Sequence, residues 1–583
     1  MCGITGIFAY RHAAPSVSAE ELQTITESMR PRGPDAGGTW ISADGRVGLG
    51  SRRLAIIDLS DEGTQPMFDV EGEMAIVFNG EVYNHRQLRA SLERGGARFH
   101  SRTDTEVLLR LYRRDGPVML GLLRGMFAFA IWDTRAQRLF LARDGYGIKP
   151  LYVSDDGATL RFASTAKALI AGGAVSRTID PAGAAGFFLT GSVPEPYTIH
   201  DAIRLVEAGT YFHVDAQHGR TEAKRHFTIG ATFRRANEQR GIARLTEPEI
   251  ALREHIEESV AHHLVSDVPI GVFLSAGIDS SALTAIASRE SAERLRTFTL
   301  AFEEFQGGLG DEAPLAERFA RETGTMHTTR VVTRDEFRRD LPAIFQAMDQ
   351  PTIDGVNTWF VSKAVHESSV KVALSGVGGD ELFGSYPSFN RVPRITRLAH
   401  SPFAPIVSAF SRHPKAGWIR PMGGTYAGAY LLHRGLFLPH ELPSILGPDA
   451  AREGLLRLGI IDLVQGALDP DPETPFGRVA TLEASLYMRN QLLRDADWAS
   501  MAHSVEVRTP FVDTALLRQV APMLLDRERA TKQVLATSLP EWLRHRPKTG
   551  FFVPMRDWMN LPPDGTTTRM RSWAKIVWEA TKS

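Results

Sequence analysis

Cysteine is almost missing from this chain of 583 residues: there is one, Cys2. An internal disulfide is therefore excluded, and a thiolate-held metal cluster is not expected. Charge of one sign is not in surplus either, with 67 lysines and arginines against 68 aspartates and glutamates. Such a balance offers no electrostatic footprint for nucleic acid or an anionic membrane, and it favours small-molecule chemistry. Apolar runs stay well short of the ~18 residues a membrane helix needs. The opening MCGITGIFAY has neither the basic segment nor the apolar stretch of a secretory signal, so a cytoplasmic protein is expected. Internal repeats and low-complexity tracts are absent, and the segment after Leu561 is polar.

What the chain does have is length. Single cores stop growing beyond about 250 to 300 residues, so two or three domains are expected. The lone thiol sits second in the chain. Removal of Met1, chemically reasonable before a small residue, would leave Cys2 with both a thiol and a free α-amino group, a nucleophile and a base on one residue. A chance cysteine at a frayed terminus is the plain alternative. However, the following GITGIFAY is apolar, β-branched and glycine-marked, which reads as a buried strand holding the terminus in place. MAIVFNG, MFAFAIWD, RLFLARD, PLYV and LRFAS continue the strand pattern, and a helix is predicted from Thr105 to Arg114. Residues 1–228 are thus expected to form a strand-rich, layered domain with helices on its faces.

Polar clusters interrupt these strands at RPRGPD (Arg30 to Asp35), SRRLAIIDLS from Ser51, and FNGEVYNH from Phe78 to His85. Asn79-Gly80 reads either as a hairpin turn or as a close backbone approach to a substrate oxygen, as an oxyanion hole requires. Arg52 is either a surface arginine or a fork for a carboxylate. Asp104 is either a helix N-cap or a ligand.

Residues 229–249 lose the strand pattern and read as an inter-domain connection, leaving 250–583 as a second domain. There, strands alternate with helices, which argues for a parallel sheet flanked by helices. PIGVFLSAGIDSSALTAIAS reads as strand, small-residue loop and helix, a phosphate cradle of backbone N–H groups to which Ser275, Ser280 and Ser281 add hydroxyls. Asp279 would repel a phosphate but suits phosphate-bound Mg2+. A second strand, VKVALSG, runs into VGGDELFGSY, and both loops belong at the carboxyl ends of the sheet.

The series Cys2-Gly3-Ile4, RGPD, RRLAIID, NGEVYNH and RTDTEV resembles the N-terminal-nucleophile glutaminase domains, and SAGIDSS resembles the SGGxDS loop of ATP pyrophosphatases. With both sets in order from Cys2 to about Phe552, the chain resembles the glutamine-hydrolysing asparagine synthetase family. The resemblance implies an αββα glutaminase domain joined to an adenylating domain, with glutamine, ATP and aspartate or another carboxylic acid as substrates, Mg2+ as cofactor, and a homodimer as one compatible assembly. It implies that Cys2 is the nucleophile and that Asn79 and Gly80 form the oxyanion hole. Arg52, Asn79, Glu81 and Asp104 would grip glutamine. Leu274, Ser275, Gly277, Asp279, Ser280, Ser281, Leu300, Ser375 and Gly376 would hold ATP, and Asp279 and Asp380 the metal. Lys548 of RPKTGF would neutralise charge as ammonia attacks the acyl-adenylate, while Glu381 would play a supporting role.

Three positions depart from the family's pattern. Thr165 stands where a glutamate often follows the serine. Ala276 replaces the first glycine of the loop, at a cost of about 1 to 2 kcal/mol if a left-handed backbone is required there. Val377 replaces the glutamate of SGEGSDE that is linked to forming the aspartyl-adenylate, so either another residue covers that role or the acid is not free aspartate. Asp354 and Asn357 of MDQPTIDGVNTW are candidate polar contacts in a substrate-shaping loop. Arg494, Asp495, Glu506 and Arg508 are expected to pair with one another under limited solvent.

Overall fold

The computed structural model describes residues 2–239, 247–308, 310–402, 415–526, 531–544, 553–561 and 566–582. Every residue of the strand Cys2–Ala9 is buried, which a glycine-marked apolar run allows. This strand lies at the middle of a six-stranded sheet, antiparallel to Val47–Arg53 on one side and Thr159–Ala163 on the other. A second antiparallel sheet is built on Met74–Val82, Gly125–Asp133, Arg138–Arg143 and Thr210–Asp215.

Alternation along the strands decides which residues face what. Ile4, Phe8 and Leu49 of the first sheet meet Ala75, Val77, Ala128 and Ala130 of the second. On the outer faces, Ile76, Phe78 and Val82 meet Val107, Leu108 and Leu111 of the helix Asp104–Asp115, and Ile7 meets Leu22 and Ile25 of the helix Ala19–Ser28. The layers are helix, sheet, sheet, helix. The helix predicted from Thr105 to Arg114 is one residue longer at each end, and its N-cap is Thr103 rather than Asp104.

The connection begins as a helix, Ile229–Glu238, capped by Thr228. Its Ile229, Phe233 and Ala236 enter the same core as Leu516 and Leu517, while Arg234 and Arg235 are exposed. The polar composition that reads as a connection is thus the outer face of an amphipathic helix.

In the second half, five parallel strands lie in the spatial order Met326–Val332, Arg296–Phe302, Ile270–Phe273, Val372–Leu374, Glu506–Arg508. Numbered along the chain this order is 3-2-1-4-5. The direction of winding reverses between Ile270–Phe273 and Val372–Leu374, so the loops leaving these neighbouring strands part and open a crevice at their carboxyl ends. Helices cover both faces: Trp359, Phe360 and Val365 pack with Phe298, and Ile256, Leu283 and Phe319 with Val272. No helix among the described residues is long and apolar enough to cross a membrane.

Candidate active sites

Along Met74–Val82, Ala75, Val77, Asn79 and Glu81 share one face by alternation. That face is apolar where it meets the other sheet and polar at its end, where Asn79 Oδ1 accepts from the Cys2 backbone nitrogen at 3.0 Å. Asn79 Nδ2 and Glu81 Oε2 are buried there without a hydrogen-bond partner. Gly80 points the other way. Its φ is +155°, and a Cβ would lie 2.1 Å from the Met126 carbonyl oxygen of the adjacent strand, so only glycine fits. Asn79-Gly80 therefore lies inside a strand and is not a hairpin turn.

Asp104, at the start of its helix, accepts from the Val82 N–H at 2.8 Å and so ties that helix to the strand end that carries Glu81. Arg52 sits opposite Gly3 in the strand register, with Nε on the Gly33 carbonyl at 3.1 Å and Nη1 3.3 Å from Glu27. Cys2, Asn79, Glu81 and Asp104 are all buried. Burial pushes the Cys2 thiol above its ordinary value, so a base must generate the thiolate. Burial, and then the Glu506 carboxylate, push Glu81 well above the usual carboxylate range, while the Arg508 guanidinium opposes them. Thr165 caps the helix Ala166–Ala171, and Ser164 accepts from the Ile4 N–H at 3.0 Å.

The second half reaches into this cluster. Arg32 Nε lies 3.4 Å from the Cys2 carbonyl oxygen, and its two terminal nitrogens grip Asp497 at 2.7 and 2.9 Å. Arg508, fully buried, donates from Nε to Glu506 at 2.6 Å and approaches Glu81 with Nη2 at 3.6 Å. Of the four charges expected to pair with one another, only Glu506 and Arg508 do so. Arg494 donates to the Val193 carbonyl at 2.6 Å, and Asp495 accepts from Thr352 and Trp498. Arg494 and Asp495 are helix neighbours, which point to different sides and do not meet.

The crevice of the second half opens into a cavity of about 1240 Å³ whose walls include Leu274 to Ser280, Leu300, Ser375 to Gly378, Asp380 and Glu381. The helix Ile278–Glu290 starts after Gly277 with no side-chain cap, and its N-terminus faces the cavity, the arrangement that suits an anion. Ser275 and Ser280 hold the loop together through their hydroxyls, 2.8 Å apart, and Ser281 Oγ bonds back to the Ser275 carbonyl at 3.4 Å. Ala276 is buried and has no positive φ, so the strain attached to a left-handed alanine does not arise. Gly379 leaves room for Asp279, whose Oδ1 would be 2.6 Å from a Cβ there. Val377, Asp354 and Asn357 also line the cavity. Lys548 lies outside the described residues.

Lys532 Nζ lies 2.5 Å from Asp279 and 2.8 Å from Asp380. Burial disfavours its charged form, but the two carboxylates outweigh this and raise its pKa. Asp279 and Asp380 already share one cation, and that donor set fits a divalent ion. Sequence reasoning missed Lys532, which stands as a single lysine before the apolar spacing Val534, Leu535, Leu539, Leu543, with nothing local to mark it. Asp497 and Arg508 were missed as parts of the Cys2 cluster, because only the fold brings them to it.

Comparison with known proteins bears on both halves. Residues 1–227 match the glutamine amidotransferase domain family, and residues 251–570 match the asparagine synthase family. The glutamine-hydrolysing asparagine synthetase 1 of Bacillus subtilis is 32% identical over 99% of this chain and 90% of its own length. A putative glutamine-hydrolysing asparagine synthetase of Mycobacterium bovis is 33% identical over 96% of this chain and 88% of its own. Asparagine synthetase B of Escherichia coli is 33% identical over 68% of this chain and 67% of its own. With relatives aligned through both halves and each half matching its own domain family, the chain belongs to the glutamine-hydrolysing asparagine synthetase family.

Proposed function

We propose that this protein makes asparagine from aspartate, using glutamine as the nitrogen source and ATP as the activating substrate. The observation that carries this reading is the joining of the two sites: Cys2 is held through Arg32 by Asp497 of the half that contains the ATP-type crevice. A nucleophile and an adenylating site fixed in one body suit a reaction in which ammonia passes between them.

In this reading the Cys2 thiolate attacks the glutamine carboxamide, and ammonia leaves a glutamyl thioester that water hydrolyses. The α-amino group freed by loss of Met1 takes the thiol proton. Asn79 Nδ2 and the backbone at Gly80 supply donors for the developing oxyanion. Arg52, Glu81 and Asp104 hold the charged ends of glutamine. In the second half, the N–H groups at Gly277 to Ser280 and the Ser375-Gly376 turn hold the phosphates, with Leu274 and Leu300 on the adenosine side. Asp279 and Asp380 would hold Mg2+, which when bound would offset charge on the phosphates. Lys532 and, by family resemblance, Lys548 add positive charge. The aspartate side-chain carboxylate displaces pyrophosphate, because a bare carboxylate is a poor electrophile, and ammonia then displaces AMP.

Asp354 and Asp495 line the cavity, and Asp354 accepts from the Gly355 N–H. Two carboxylates on this wall suit the α-ammonium of an amino-acid acceptor. Val377 favours a second reading, amidation of a different acid, because valine neither charges nor hydrogen-bonds a substrate. Glutamine, aspartate and MgATP are intracellular metabolites, so the cytoplasm is the proposed site of action.

The test is asparagine formation and pyrophosphate release with either glutamine or ammonium, for the wild type and Cys2→Ala. The variant should lose glutamine-dependent synthesis by more than about 10³-fold and keep the ammonium-dependent reaction. Absence of any aspartate-dependent pyrophosphate, with glutamine still hydrolysed, would move the search to another acid, such as a sugar acid or peptide, or to a regulatory protein with a non-catalytic second half.

A further inference from the structure

Arg508 touches both sites with different parts of one residue. Its carbonyl accepts the Ser375 N–H at 2.8 Å, and Leu374 is its partner in the parallel ladder. It therefore fixes the point at which the second crevice loop leaves the sheet. Its side chain runs the other way. Nη1 donates to the His263 and Val265 carbonyls at 2.8 and 2.7 Å, Nε to Glu506 at 2.6 Å, and the guanidinium lies 5.4 Å from the centre of the Tyr83 ring. Nη2 has no hydrogen-bond partner and points across 3.6 Å to Glu81 Oε2, which has none either. All of this is fully out of water: Arg508 is 0% exposed and Glu81 4%.

A guanidinium pinned on three sides cannot follow Glu81, so Glu81 must settle against it. Burial and the neighbouring Glu506 both work against a charged Glu81, and Arg508 is the side-chain cation that opposes them. The Ser375–Gly378 segment, in turn, is packed on the first loop: a Cβ at Gly376 would lie 3.2 Å from the Ser280 nitrogen. Phosphates drawing the two loops together would therefore act on the strand Glu506–Arg508 through the Ser375 bond.

We propose that Arg508 is a positioning residue shared by the two sites, setting Glu81 for glutamine according to the state of the Ser375–Gly376 loop. This rests on the reading of Glu81 as a glutamine contact and of that loop as a nucleotide contact. By linkage, whatever factor nucleotide contributes to glutamine affinity, glutamine must contribute to nucleotide affinity.

The experiment measures glutamine hydrolysis with and without MgATP, with no acceptor acid, in wild type and Arg508→Lys. In the wild type, MgATP should lower the KM for glutamine by about 5-fold or more. In Arg508→Lys the KM should rise by more than kcat falls, and the effect of MgATP should vanish. No effect of MgATP on the wild type, or an undiminished effect in the variant, overturns the proposal. If Arg508→Lys does not fold, Glu506→Gln serves: it keeps the arginine but loosens its Nε pair, and it must shrink the MgATP effect. Asparagine formation from aspartate and ammonium is followed in the same preparations. Its absence would count against asparagine synthesis and leave the glutamine–nucleotide linkage standing on its own readout.

Discussion

Cys2, Arg52, Asn79 and Glu81 all lie within β-strands, whereas Ser275, Gly277, Ser375 and Gly376 lie on turns that follow strands or precede helices. The first group is held by ladder bonds, on both sides at Arg52 and on one side at Cys2, Asn79 and Glu81, and its side-chain directions are dictated by alternation. The second group is held by fewer bonds, such as the 3.2 Å contact from the Gly277 N–H to Ser275 Oγ and the 2.8 Å bond from the Ser375 N–H to the Arg508 carbonyl. Loops of that kind tolerate a changed side chain more readily than a paired strand does. Ala276 and Val377, the two departures from the family's ATP-site pattern, both fall in the second group. At Gly80, by contrast, the neighbouring strand's carbonyl stands where a side chain would have to go.

The comparison is broken most directly by removing charge from one site and reading both. Asp279 holds Lys532 together with Asp380, so Asp279→Asn leaves the lysine with one carboxylate and the proposed metal with one fewer. Pyrophosphate release should fall by about 10²- to 10³-fold, the loss typical of removing one preorganised electrostatic contact. Glutamine hydrolysis without nucleotide should hardly change. Comparable losses in both assays would mean that the halves are not separable in this way.

Acid tests the seam between them. His263 is buried, donates from Nδ1 to the Ser259 carbonyl at 2.8 Å, and packs at a tilt against Tyr83 with the ring centres 4.1 Å apart. Burial lowers its pKa from 6.5 to about 4. Between those values the unfolded chain binds a proton that the folded chain refuses, so stability is untouched above pH 6.5 and falls as pH drops towards 4. That displacement corresponds to about 3 kcal/mol. Urea unfolding across this range should show a steeper acid loss in the wild type than in His263→Gln; parallel curves would show that His263 is not the group that titrates.

Part of the Cys2 cluster was legible as strand, since MAIVFNG reads as one, but Asn79-Gly80 reads equally as a hairpin turn and the grouping with Arg52, Glu81 and Asp104 came from the family resemblance. The ladder that continues to Val82 is what puts Asn79 and Glu81 on one face with Ala75 and Val77. The phosphate-type loop was legible, since a strand, small residues and a helix are consecutive in the chain. What could not be read were contacts made across long stretches of sequence. Arg32 with Asp497, Glu81 with Arg508, and Asp279 with Lys532 join residues that nothing local connects. The expected mutual pairing of Arg494 and Asp495 failed because closeness in sequence was taken for closeness in direction.

The smallest expected effect is the sharpest test of how a site made of regular elements is tuned. Thr103 Oγ1 accepts the Glu106 N–H at 3.2 Å and so starts the helix whose first residue, Asp104, holds the Val82 N–H beside Glu81. Thr103→Ala should cost about 1 kcal/mol of stability, as for other lost threonine caps. Because Asp104 is set by that cap, the KM for glutamine should rise a few-fold while ammonium-dependent synthesis stays level. Thr333 makes the same 3.2 Å cap to Glu336 on the helix Arg334–Ala347 of the second half. Thr333→Ala should lose a similar stability without moving the glutamine KM. If both variants shifted that KM equally, the effect would be one of global loosening, and the link from cap to Asp104 to the strand end would be wrong.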